Sequence, residues 1–307
     1  MTSRRRLSGD TRSTILLFLI PAFAFYIVWI VLPVFQSFRY SLYRWDGLSP
    51  LKNFIGLDNY GEILHDPIFW KSLKNNIILL VFSLITQIPC SILLAILLTG
   101  DKVRGKSFFR TMYFAPQIIS TVATGYMFYY IYEPTFGILN QLLKIINLGT
   151  LTRGWLGDTH LALYSVLFVI TWRFIGFYMV LFIAAIEGMP TEVFEAATID
   201  GCNKWMLVRK ITLPLLRGTI KTACVLLIVG SIKYFDLIWI MTQGGPANSS
   251  ELIATYMYKK TFLSWEVGYG SALAFTLFFV AFILSAVFMK FTKSEPDGKK
   301  VQRSKAK

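Results

Sequence analysis

The chain has 307 residues, 55% of them hydrophobic and only 16% charged, with a mean hydropathy of +0.55 and a formal net charge of +14. Its apolar residues fall in blocks longer than a water-soluble core requires, which excludes an ordinary soluble globular protein. Lys and Arg cluster beside the ends of those blocks and from Lys290 to Lys307, not on one face among aromatics, so nucleic acid is excluded as a partner.

Six apolar runs can be drawn, each near the ~20 residues that match a ~30 Å hydrocarbon core. The first, Ile15 to Val34, follows Arg4, Arg5, Arg6 and Arg12. It begins as a signal peptide would, but it is too long and lacks an A-x-A-like cleavage site, so it reads as a retained span. The others are Ile77 to Leu98, Met112 to Tyr132, Leu161 to Ile186, Thr222 to Met241 and Ser271 to Phe291. Each is longer than a strand, and only helices satisfy their own backbone across lipid. The expected fold is therefore an all-α integral membrane protein with six transmembrane helices.

Basic residues near the span ends give the orientation. Lys102, Arg104, Lys106 and Arg110 follow the second run, Lys204, Arg209, Lys210 and Arg217 follow the fourth, and the tail is basic. With six spans these segments share one side, and both termini are cytoplasmic. The loop from Ser37 to Asn76 is the longest external segment and carries Asp46, Asp58, Glu62 and Asp66 beside its basic residues. Residues 1–70 then form a first span with an external loop, 71–291 the main transmembrane domain with a cytoplasmic loop at 187–218, and 292–307 a basic tail.

Between the second and third runs, Gly100 to Ser107 fits G-x-x-x-x-G-K-[ST] letter for letter. A phosphate-cradling loop needs a strand before it and a helix after it, and here a span-length apolar run precedes it. The segment reads as a basic turn. Cys90 and Cys224 lie in apolar runs, Cys202 in a loop, and His65 and His160 are isolated, so no disulfide or metal set is suggested.

The loop 187–218, EGMPTEVFEAATIDGCNKWMLVRKITLPLLRG, reads as two short helices. Thr191 is the expected N-cap, and Glu192 and Glu195 suit the positive end of the helix dipole. Ala196 and Ala197 keep one side flat, Gly201 stops the helix, and Pro214 limits its continuation. A helix lying on lipid and a helix docked on a partner fit this composition equally.

Polar groups inside spans are costly and mark candidate sites. Arg173, Lys233 and Asp236 are the ionisable ones, and Lys233 and Asp236 are spaced to meet on one helical face. A structural ion pair or snorkelling to the interface is the other reading.

The 187–218 loop resembles the signature loop of binding-protein-dependent ABC importer permeases, EAAxxDGAxxxxxFxxIxLPxxxP. Glu195, Ala196, Ala197, Asp200, Gly201, Ile211, Leu213 and Pro214 match in place, while Cys202, Val208 and Gly218 depart from the pattern. The stretches GLDNYGEILHDPIFWKSLKNN (56–76), FFRTMYFAPQIIS (108–120), GILNQLL (137–143) and IMTQGGPANSSELIATYMYKKTF (240–262) look like carbohydrate-type permeases of the maltose and glycerol-phosphate kind, the first of two unlike subunits. The resemblance implies a type I importer transmembrane domain in the bacterial inner membrane. It implies a second unlike permease, two ATP-binding subunits that hold the ATP and Mg while this chain holds no cofactor, and an extracytoplasmic solute-binding protein that delivers a sugar. Phe194, Glu195, Ala196, Ala197, Asp200 and Gly201 would dock into the ATPase. The sugar cavity would be lined by Ile170, Arg173, Phe174 and Phe177 of the fourth span, which share a stripe, and by Leu227, Gly230, Ser231 and Asp236 of the fifth. Arg173 tilts the expected substrate towards an oligosaccharide with anionic groups or a phosphorylated polyol.

Two rivals remain. A secondary transporter or channel would need no ATPase, but the spans show no repeat pair and no chain of intramembrane acids. A membrane enzyme would need a converging catalytic set, and none is present in the sequence.

Overall fold

The computed structural model describes residues 9–100 and 103–291. Arg4, Arg5, Arg6, Lys102 and the tail 292–307, used above for orientation, lie outside the described residues. Among those described the chain is helical, with one isolated bridge between Tyr43 and Phe54 and no strand.

In chain order the helices are α1 (Gly9–Tyr26), α2 (Leu32–Ser41), α3 (Asp58–His65), α4 (Pro67–Thr99), α5 (Lys106–Ile118), α6 (Thr121–Ile131), α7 (Ile138–Ile145) and α8 (Ala162–Glu187). They continue as α9 (Thr191–Ile199), α10 (Lys204–Leu207), α11 (Leu213–Leu215), α12 (Arg217–Ile232), α13 (Asp236–Met241), α14 (Ile253–Tyr258) and α15 (Val267–Phe291). Among the described residues, five stretches are long and apolar enough to cross a membrane: Leu17–Ser41, Pro67–Thr99, Ala162–Glu187, Arg217–Met241 and Val267–Lys290.

The predicted run Met112 to Tyr132 is not one helix. The chain turns extended at Ile119 and Ser120, leaving α5 and α6 with 13 and 11 residues. At 1.5 Å per residue each half covers only roughly 20 Å, short of the ~30 Å core. Pro116 removes a backbone donor shortly before the break. The two halves then follow different neighbours, α5 packing on α8 and α6 on α13.

Two other interruptions share a cause. A π-helical turn at Ile27–Val31 precedes Pro33, and another at Val208–Thr212 precedes Pro214. A proline ring presses on the carbonyl four residues back, and widening the preceding turn relieves that contact.

The residues fall into two compact units, Met1–His65 with Met257–Thr276 and Asp66–Tyr256 with Leu277–Lys307. In the first, Asn59 Nδ2 donates to the carbonyls of Ser41 (2.7 Å) and Tyr43 (3.1 Å), pinning α3 to the end of α2. In the second, α4 packs along α8 and α12. One core cluster gathers Leu79, Phe128, Leu167, Ile170 and Leu237, and a second gathers Ala95, Met179, Phe182, Leu216 and Leu227. Gly176 lets α8 approach α5 closely, because a Cβ there would run into the backbone of Tyr113 and lie 2.9 Å from the Phe114 Cα.

Candidate functional site

Most of α9 and the start of α10 in the 187–218 loop are exposed, while Leu216 near its end is part of the core. Pro190, not Thr191, occupies the N-cap of α9, and no side chain caps the helix there. Thr191 is already helical, so the expected Thr191 cap is corrected; Glu192 in the first turn still meets the dipole. At the other end Gly201 takes φ +78°, its N–H donates to Thr198 O (3.1 Å), and the Cys202 N–H donates to Ala197 O (2.9 Å). That paired closure at a left-handed residue ends the helix as the sequence suggested. Asn203 then caps α10, its Oδ1 accepting from Met206 N at 2.9 Å.

Ala197 is buried, Phe194 is half-buried, and Glu195, Ala196, Asp200 and Gly201 are exposed. Beside them Ile199 is 86% exposed and Trp205 69% exposed. Neither was singled out from the sequence, although a tryptophan in a polar loop is a legible signal. At the root of the loop Arg110 of α5 is ion-paired with Glu187 at the end of α8.

A second feature lies between α4, α8 and α12. Ile170, Phe174 and Tyr178 of α8 face Leu227, Gly230 and Ser231 of α12 across a cavity closed by Ser83 and Gln87 of α4 and by Tyr234. Gln87 Nε2 donates to Ser83 Oγ at 3.1 Å, and the Tyr234 ring meets Phe174 edge-on with centroids 6.3 Å apart. The cavity holds ≈ 40 Å³, enough for a water but far below the ~300 Å³ where small-molecule sites begin.

Five of the eight candidates read from the sequence, Ile170, Phe174, Leu227, Gly230 and Ser231, thus line one cavity. The other three are not among its lining residues. Phe177 is 37% exposed with its ring against Tyr178, and Asp236 is exposed. Arg173 is buried at 9% exposure, and its Nε and Nη1 meet no hydrogen-bond acceptor. The helix stops at Ile232 and restarts at Asp236, so Lys233 and Asp236 do not share a continuous face, and no bond joins them. Ser83 and Gln87, four apart inside an apolar run, are the sequence sign of this polar wall of α4.

Polar residues of α4 also hold the turn around Gly244 to Ser250. Lys71 Nζ donates to Ala247 O (2.7 Å), and Asn75 Nδ2 donates to Ser249 O (3.0 Å) and Glu251 O (2.9 Å). The Gly100 to Ser107 segment begins as the C-cap of α4 and leads into α5, with residues 101–102 outside the described residues. No strand precedes it. Among the described residues no three of His, Cys, Asp and Glu gather as a metal set.

Residues 70–291 match the model of a family described as the binding-protein-dependent transport system inner membrane component. The chain is 40% identical to the probable ABC transporter permease protein YurN of Bacillus subtilis, over 91% of this chain and 95% of that one. It is 33% identical to the diacetylchitobiose uptake system permease protein NgcF of Streptomyces coelicolor, over 99% and 89%. A solved bacterial ABC transporter that imports the acidic polysaccharide alginate shares the fold, with a TM-score of 0.81 at 22% identity over 92% of this chain and 96% of that one. The chain belongs to the binding-protein-dependent transport system inner membrane components. It is a multi-pass membrane protein and a transport component rather than an enzyme.

Proposed function

We propose that this member of the family is one of two unlike permease subunits of an ATP-driven importer for a sugar or oligosaccharide in a bacterial inner membrane. The observation that carries the reading is the loop 187–218, where α9 and α10 present Ile199 and Trp205 to solvent beside Glu195 and Asp200. One of two ATP-binding subunits docks there, and that pair holds the ATP and Mg; this chain holds no cofactor. The chain crosses the membrane six times with both termini cytoplasmic, the third crossing being made by α5 and α6 together. An external solute-binding protein supplies the sugar.

The relative named for diacetylchitobiose uptake supports an oligosaccharide as cargo. The α4–α8–α12 cavity is then one half of the passage, in a closed arrangement, and the second permease completes it. ATP-driven closure of the ATPase subunits moves α9 and rocks the spans. That motion reaches the cavity through α8, whose end is tied to α5 by Arg110 and Glu187. Arg173 carries buried donors with no acceptor, which suits an anionic group on the cargo.

Purification of the tagged chain from its native membrane tests the docking role. An ATP-binding subunit should come with it, and its absence in mild detergent would count against the reading.

A further inference from the structure

The first unit contains a basin of its own. We propose that this basin is a carbohydrate-binding site, separate from the membrane cavity, that takes one or two rings of an oligosaccharide. The proposal rests on reading the chain as a sugar permease, in which this loop faces outside, where cargo arrives.

The basin measures ≈ 460 Å³, within the ~300–1,000 Å³ of small-molecule sites, and all its walls belong to one unit. Trp45 and Trp265 supply aromatic faces, Tyr269 lies buried beneath Lys260 at the floor, and Arg44, Glu62 and Asn53 supply polar groups. A sugar ring offers an apolar C–H face for stacking and hydroxyls around its edge, and this lining answers both.

The aromatic walls are fixed before any ligand arrives. The Trp45 indole N–H donates to Ser49 O at 2.7 Å. Asp46 Oδ1 accepts from the Leu48 and Ser49 N–H groups (2.9 and 2.8 Å) and from Ser49 Oγ (2.7 Å), closing the turn beneath it. Lys260 pairs with Glu266 at 2.8 Å and lies 5.1 Å above the Tyr269 ring. Among the described residues the Arg44 guanidinium and the Glu62 carboxylate have no such partner, so their hydrogen-bonding groups are left for a ligand.

Trp265 adds a conformational argument. It is 55% exposed yet takes φ +58°, an uncommon region for a bulky side chain. The Ser264 N–H on Lys259 O and the Glu266 N–H on Lys260 O, both 2.9 Å, hold it there. Backbone strain of this sort persists where the surroundings impose it, and it clusters at ligand clamps.

The test uses the assembled transporter in lipid nanodiscs without its solute-binding protein. Diacetylchitobiose, lactose and an alginate oligosaccharide are titrated by equilibrium dialysis. At least one binds, and Trp265→Gly, which tolerates the positive φ and removes the indole, weakens that binding about tenfold or more. Glu62→Gln does the same, and Trp265→Tyr, which keeps an aromatic face, retains binding. No binding of any of the three sugars overturns the proposal. So does binding lost in Arg173→Met but unchanged in Trp265→Gly. If Trp265→Gly leaves sugar binding intact and weakens only attachment of the solute-binding protein, the basin is a protein-docking surface and the proposal fails. ATP-driven uptake by the wild type, measured alongside, shows whether the permease reading stands regardless.

Discussion

The Asn76 side-chain amide donates to the Ser231 carbonyl oxygen, 3.1 Å away, where α12 gives up its last turn. The same Nδ2 donates to Ile232 O at 3.0 Å, and Oδ1 accepts from the Ile253 N–H at 3.0 Å. Carbonyls at a helix end lack partners in the helix, and at membrane depth water cannot supply them. One residue of α4 therefore makes the break in the fifth span tolerable and sets where Ser231 sits on the cavity wall. Asn76→Ala should destabilise the chain by about 1–3 kcal/mol, read as a lower Tm of the purified complex. An unchanged Tm would mean the break is held elsewhere.

Arg173 makes the opposite case. Its buried Nε and Nη1 have no acceptor among the described residues, so part of the desolvation cost is uncompensated there. Arg173→Met, of similar length and apolar, should leave Tm equal or higher while uptake of cargo falls. A variant with lower stability and normal uptake would make Arg173 a structural residue.

Ile199 and Trp205 allow association to be separated from folding. Both side chains are exposed, so Ile199→Ser and Trp205→Ala should change stability by no more than about 0.5 kcal/mol. Retention of the ATP-binding subunit on the tagged chain should nevertheless drop at least about fivefold, as for an interface anchor worth more than ~1 kcal/mol. Gly201→Ala behaves differently. Its Cβ meets nothing within 4 Å, so only the positive φ is penalised, by about 1–2 kcal/mol.

Gly176→Ala should damage the fold itself. The added Cβ meets the Tyr113 carbonyl, which is backbone and cannot swing aside, so α5 and α8 must separate. Reduced accumulation in the membrane is expected, together with weaker pairing of Arg110 with Glu187. Normal yield and Tm would show that the two helices can slide apart freely.

Most of the architecture was written in long apolar runs, because a helix in lipid has to be both long and apolar. The family was legible from the 187–218 loop, whose Gly201 has the left-handed backbone its glycine allows. The missed features come from local competition that periodicity does not report. Ile119 and Ser120 are apolar or neutral enough to sit inside a run, yet they turn extended. Lys233 and Asp236 have helical spacing, but the helix between them is absent because Asn76, more than 150 residues earlier in the chain, takes up its carbonyls. Pro190 took the cap expected of Thr191 by starting α9 one residue sooner. The basin in the first unit joins Arg44 and Glu62 to Trp265, a juxtaposition that spacing along the chain cannot show.

The most direct measurement is uptake of labelled oligosaccharide into proteoliposomes holding the complete transporter, with ATP on the side of the ATP-binding subunits. The wild type should accumulate cargo only when ATP and the solute-binding protein are both present. Glu195→Lys, on the exposed face of α9, should abolish accumulation while the subunit still inserts and folds. Accumulation that continues without ATP, or that is unchanged in Glu195→Lys with its ATP-binding subunit fully retained, would contradict the importer role and the place of this loop in it.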